Sequence, residues 1–313
     1  MFPRSTWTRI RHRAVPRVRA LTRIFQALTL CVASIATPAI AGEPIAPGAD
    51  LDGAFHAMYE LRFDLARERI LAWRTAHPDD PLGPAAEAAS HLFEELDRQG
   101  VLTSAFFLDD DLFLGGIQGK PDPGHRSRFL AAIDTARTRA NALLKANPKD
   151  PDGLFVLTLA NGMQGDFEAI IEKRQLAALS SIKRAEKTAT LLLEVRPDLQ
   201  DASLALGAAN YIIGSLPGYK RFFLWFGGVS GDRERGMRQL QMAADQGRYL
   251  RAYAKALLAL ALEREGRFDR ASALFAELAR EFPANPSFTR ELALAQARSA
   301  ASKSSSAPGA GRS

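Results

Sequence analysis

Between residues 251 and 286 the chain repeats one instruction twice. Leu258, Ala259 and Leu262 lie on one face of a helix, Gly266-Arg267-Phe268 makes a turn, and Phe268, Ala271, Phe275 and Leu278 recur at intervals of three or four on a second helix. Pro283 stops that helix, and Asn285-Pro286 opens the next segment. A helical hairpin with apolar residues on several faces cannot cover them alone. Neighbouring copies must stack on it, which commits the chain to a continuous core running along a row of hairpins.

Further copies obey the same rule. Near residue 50, Ala54, Ala57 and Tyr59 precede Phe63, Ala66, Ile70 and Trp73, and His77-Pro78 closes the unit. Ile133, Ala136, Ala140 and Leu143 run into Asn147-Pro148, and Leu179, Ile182, Ala189 and Leu192 run into Arg196-Pro197. No run alternates as a half-buried strand would. Small Ala259 and Ala271, Gly266 in the turn, aromatic Phe275 and terminal Pro283 stand at a spacing that resembles the tetratricopeptide repeat. The expected fold is therefore all-α, a tetratricopeptide-like solenoid of about five hairpins over residues 42–300. It ends in a capping helix near 287–299 and a disordered tail over 301–313. Its concave surface, lined by the first helix of each hairpin, is the expected binding groove.

Two insertions stretch the middle units. The first, near 100–124, contains Asp109-Asp110-Asp111 between apolar anchors, and reads as a solvated acidic turn. Calcium loops need alternate oxygen ligands and a distal Glu, and no Glu occurs between Glu95 and Glu168. Gly115-Gly116-Ile117-Gln118-Gly119-Lys120 is one residue short of a phosphate loop and is succeeded by Pro121. The second insertion, 214–231, packs Tyr219, Phe222, Phe223, Trp225 and Phe226 around Lys220 and Arg221. Two readings stand: the aromatics fold back onto the stack, which we favour, or they form an edge for a membrane surface or an apolar partner.

Asn210-Tyr211, Ser215-Leu216-Pro217, Ser230-Gly231-Asp232-Arg233 and Gly236 together resemble the tetratricopeptide-39/inclusion-body-clearance family and its bacterial relatives over residues 199–286. The resemblance implies a binding scaffold and no cofactor. Tyr211, Asp232 and Arg233 join the aromatic and basic residues of the insertion as candidate interaction or groove-shaping positions.

Charge narrows the partners. The formal charge of +6 rests on residues 1–41, which hold seven Arg and no acid; without those seven, the 41 basic side chains fall to 34 against 35 acids. Nucleic-acid binding by the body of the chain is therefore not expected. Residues 1–41 read as a signal peptide, an Arg-rich start leading into an apolar run and Ala39-Ile40-Ala41 before Gly42. Export is expected, to the periplasm first and to the medium as the alternative. The one Cys, Cys31, leaves with that leader, and Leu30 before it does not suit lipid attachment.

Catalytic chemistry is thin. No His-Glu-x-x-His occurs, and Gly228-Val229-Ser230 lacks the closing Gly of a nucleophile elbow. Adjacent Glu94 and Glu95 point to different sides of a helix, and His91 beside them reads as an exposed helical position. Neither a catalytic residue nor a metal ligand is assigned. The expected function is a non-catalytic scaffold for a protein or peptide. A lipid-associated protein is the first alternative and a cryptic hydrolase the second.

Overall fold

A computed structural model describes residues 50–215 and 231–306, which lie within one unit, Ile45–Ser313. Every regular element described is helical. The first hairpin pairs α1 (Leu51–Tyr59) with α2 (Phe63–Ala76). The second pairs α3 (Leu82–Arg98) with α6 (Pro123–Ala146), and its connection carries α4 (Ser104–Leu108) and α5 (Asp110–Gly115). The third pairs α7 (Pro151–Asp166) with α8 (Gln175–Val195) through a π-helical turn, Phe167–Ile171. The fourth is α9 (Ala202–Ser215) with α10 (Arg233–Gln246), and the fifth α11 (Arg251–Arg264) with α12 (Phe268–Glu281). The last helix, α13 (Pro286–Ser306), packs on α12. Five hairpins and a terminal helix are thus present among the described residues, in an all-α, tetratricopeptide-like order.

Proline sets the ends of the outer helices. It lacks an N–H and pushes the residue before it out of the helical region. His77, Asn147, Arg196 and Phe282 each precede a proline and have left the helical region, with φ between −126° and −138° and ψ between 67° and 104°. Each carbonyl then accepts from the N–H three residues on: Asp80 at 3.2 Å, Asp150 at 2.9 Å, Leu199 at 3.1 Å and Asn285 at 3.1 Å. Asp80, Asp150 and Asn285 turn their side-chain oxygens onto the first amides of the next helix, at 2.9 Å each. One short sequence therefore ends a helix and starts another.

A second device ends three of the inner helices. Leu61, Gly100 and Gly266 adopt φ of 59°, 66° and 71°. The next N–H in each case, from Arg62, Val101 or Arg267, donates to the carbonyl five residues back at 2.9, 3.2 and 2.8 Å. This Schellman geometry favours glycine, and Leu61 adopts it in the first hairpin.

Burial separates inner from outer helices. α12 buries one face, Ala271, Phe275 and Leu278, and α2 buries Phe63, Ala66 and Ile70. The inner α11 buries Ala252, Ala254, Leu258, Ala259, Ala261 and Leu262 around most of its circumference. Each large side chain so placed stabilises by about 1.5–3 kcal/mol. In α8 the face turned to the core is Ala178, Ser181, Ala185, Ala189 and Leu192, while Leu179 and Ile182 sit partly buried at its flank. Small residues take the inner face there; the Cβ that an alanine would place at Gly165 of α7 would come within 3.1 Å of Ile182.

The row of hairpins curls until its first member meets its last. Tyr59 Oη donates to the Tyr249 carbonyl at 2.8 Å, and Asn285 Nδ2 donates to the Tyr59 carbonyl at 2.8 Å. Arg248 makes two hydrogen bonds to Asp52, at 2.8 and 2.5 Å.

The first insertion is folded: Asp109 and Asp111 are exposed as expected, but the three acids cap and open a short helix where a turn was expected. Asp109 caps α5 through the N–H groups of Asp111 and Leu112, both at 2.9 Å. Asp110 pairs with Arg264 at the end of α11, and Arg264 also donates to the Phe107 carbonyl at 3.3 Å. Ile117 N–H donates to the Ile170 carbonyl in the π turn at 2.9 Å. Gly116, at φ 67°, lies so close to that carbonyl that any Cβ would collide with it. The terminal helix is also longer than its apolar pattern implies. It continues through Ser306, so the expected tail is helical over residues 301–306. Lys303 there reaches Asp269 at 2.8 Å. No helix among the described residues is long and apolar enough to cross a membrane.

Candidate interaction site

The sequence candidates converge on the fourth hairpin, where α9 and α10 approach almost backbone to backbone. A Cβ at Gly207 would lie 2.7 Å from Leu240 N, and one at Gly214 2.7 Å from Arg233 N. Gly236 abuts the Tyr211 backbone and Gly231 abuts Gly214 in the same way. Neither Gly214 nor Gly231 has positive φ. These glycines are required by close approach, a different reason from the sharp turning suggested by their place in the sequence. They bring Gly214 and Gly231 together.

Tyr211 is buried, and its hydroxyl donates to the Ala261 carbonyl at 3.1 Å and to Glu265 at 3.3 Å. Burial, with Glu265 adding to it, pushes this phenol up to about 12. Arg233 pairs with the same Glu265 at 3.1 Å. Asp232 is the N-cap of α10, accepting from Arg235 N–H at 3.0 Å. Tyr211 and Arg233 thus tie the fourth hairpin to the fifth, while Asp232 acts within the fourth. Tyr219, Lys220, Arg221, Phe222, Phe223, Trp225 and Phe226 lie outside the described residues.

What remains open on the inner side is apolar and divided. The first insertion reaches this space, and Phe107 of α4 borders two cavities. On one side lies a cavity of about 80 Å³ between Phe93, Leu102, Tyr253, Leu257 and Phe288. On the other a cavity of about 70 Å³ is walled by Leu108, Tyr211, Ile212, Leu240 and Leu260. Phe107, Leu257 and Leu260 border both. Ser215, the last described residue before 216–230, also lines the second cavity. Few polar groups face this space. Burial raises the Tyr253 phenol well above its usual range, with Asp166 and Tyr59 pushing the same way. Asp166 itself, at the end of α7, is pushed up to about 7 by burial.

The structure also brings together residues that the sequence left apart. His91 is buried, not exposed as expected, because α3 is covered by both α6 and α7. It lies with Glu94, three residues on, and with His125 in the first turn of α6. The signal was the i, i+3 spacing of His91 and Glu94, but nothing local located His125 opposite them. It arrives there because α6 returns along α3 after the insertion.

No family model matches the chain, and no curated protein matches it. Among solved structures, a thermophilic tetratricopeptide-repeat protein of Thermus thermophilus is similar at 15% identity, covering 79% of this chain and 99% of that chain with a TM-score of 0.41.

Proposed function

We propose that the chain is an exported, non-catalytic helical-repeat scaffold that binds an apolar segment of a protein or peptide on its inner face. The observation that carries this reading is the pair of apolar cavities meeting at Phe107, Leu257 and Leu260. A cluster of that kind offers burial for aliphatic or aromatic anchors, the usual energetic centre of a recognition surface. The backbone-close fourth hairpin and the resemblance of residues 199–286 to the tetratricopeptide-39/inclusion-body-clearance family support a scaffold role. The leader supports export, with Gly42 as the first mature residue.

Crosslinking and affinity capture from the cell envelope test it, with the wild-type chain and a Leu260→Glu variant of unchanged helix content. A protein retained by the first and lost with the second supports the reading. Equal retention by both would remove the inner face from consideration. Retention of lipid vesicles in place of a protein would favour the membrane reading of segment 214–231.

A further inference from the structure

We propose that His91, Glu94 and His125 form a binding site for a zinc-class divalent metal ion, placed at the root of the first insertion. One ligand atom from each of the three lies within 4.8 Å of the other two. The two imidazole rings face one another at 5.7 Å between centroids, tilted by 54°. His91 and Glu94 share a face of α3, and His125 comes from the first turn of α6. The site therefore joins the two helices of the second hairpin where the insertion returns.

The buried polar atoms provide the independent argument. His91 is 2% exposed, and its Nδ1 has no hydrogen-bond partner; His125 Nδ1 is likewise buried without one. A buried imidazole nitrogen normally finds a partner, and an ion held by both rings would supply one.

Two imidazoles and one carboxylate suit zinc, and the oxygen-poor set does not suit calcium or magnesium. Bonds of about 2.0–2.2 Å would draw the three ligand atoms to about 3.4 Å apart, a small closure of the present cluster. Three protein ligands leave a fourth position for water or a partner side chain.

Charge around the cluster is mixed. Arg67 pairs with Glu94 and, at 2.5 Å, with Asp64, and donates weakly to Ser90 at 3.4 Å. His125 Nδ1 stands 3.7 Å from the Glu94 Oε2 that Arg67 holds. The other carboxylate oxygen, Oε1, takes no hydrogen bond from a described residue and can turn to the ion. Arg67 then orients the ligand from behind, as outer-sphere partners commonly do.

The test titrates cobalt(II) into the full chain after chelator treatment and dialysis, reading d–d absorption, then displaces it with zinc. One equivalent is expected, with a zinc-dependent rise in melting temperature. His125→Gln and Glu94→Gln should each weaken binding at least tenfold and abolish the zinc-dependent rise, while keeping the wild-type helical spectrum without metal. His77→Gln, on a distant closing turn, should bind as wild type. Two results would overturn the proposal: no stoichiometric cobalt band in the wild type, or an unchanged band in both ligand variants. If His125→Gln does not fold, Glu94→Gln decides alone.

Discussion

The second and fifth hairpins end their first helices in the same way and then part. Gly100 and Gly266 have nearly equal φ, 66° and 71°, and the residue after each closes the same five-residue hydrogen bond. After Gly266 the chain enters α12 within two residues. After Gly100 it travels through α4 and α5, crosses to Arg264 on α11 and Ile170 in the π turn, and only then begins α6. The local stop signal is identical, so it does not decide the path of the chain beyond it. In the fifth hairpin the outcome is set by apolar spacing. In the second it is set by polar ties between segments distant in sequence.

Those ties centre on Glu95. Its side chain is buried and accepts from Arg98 at 2.7 and 2.9 Å, from Gln99 at 2.8 Å and from Asp122 N–H at 3.3 Å. Arg98 and Gln99 also donate to the Lys120 carbonyl, at 2.8 and 2.9 Å. A carboxylate thus clasps the returning segment of chain against α3. The fifth hairpin has no counterpart of this kind among the described residues. Its nearest buried acid, Glu263, faces Arg298 of the terminal helix at 2.7 Å, and Arg298 extends on to Ser104 of the insertion at 3.4 Å.

Five measurements sharpen the contrast. The largest effect is expected at the apolar hairpin: Phe275→Ala, which empties a fully buried position, should cost about 3–5 kcal/mol in denaturant unfolding. Next, Glu95→Ala should cost about 1.5–3 kcal/mol, since hydrogen bonds to an ionised group are lost. The pH dependence gives a second reading of the same residue. Burial alone would raise Glu95, but the bonds from Arg98, Gln99 and Asp122 outweigh it and hold it below its ordinary value. A lowered folded pKa means stability present above the unfolded carboxyl value and lost as pH falls through the folded one. The acid limb of the unfolding curve should therefore flatten in Glu95→Gln; an unaltered limb would show that the clasp is not the titrating element.

Smaller effects test register and turn. Ala271 is fully buried where α12 meets its neighbours, while Ala273 is exposed. Ala271→Leu should cost about 1–3 kcal/mol through overpacking, and Ala273→Leu should stay within about 0.5 kcal/mol. Equal melting temperatures for the two would contradict the face assigned to α12. Smallest of all, Gly100→Ala and Gly266→Ala should each cost about 1 kcal/mol, the penalty of a side chain at positive φ. A Cβ at either position meets no atom within 4 Å. A much larger loss at Gly100 alone would mean that the insertion presses on that turn.

The repeat frame was readable because its determinants are local. Phe268, Ala271, Phe275 and Leu278 share a helix face through spacing alone, and a proline after Phe282 stops the helix wherever it occurs. The same holds for Phe63, Ala66 and Ile70. The candidate site was readable only in part. Tyr211, Asp232 and Arg233 could be picked out, but Tyr211 is engaged with the Ala261 carbonyl and Asp232 with a helix cap. The acidic run 109–111 offered no local hint that Asp110 would find Arg264, which is 154 residues away.

The sequence by itself determined the paired helices of the repeat frame, their order in hairpins and their closing turns, since periodicity, proline and left-handed glycine act within a few residues. Only the tertiary structure decided that the row curls until Tyr59 meets Tyr249 and Asn285. It likewise decided that the first insertion reaches the inner face at Phe107 and that His125 stands beside His91 and Glu94. These outcomes depend on packing between segments far apart in the chain, where a buried donor or charge accepts whichever partner the assembled core brings within reach.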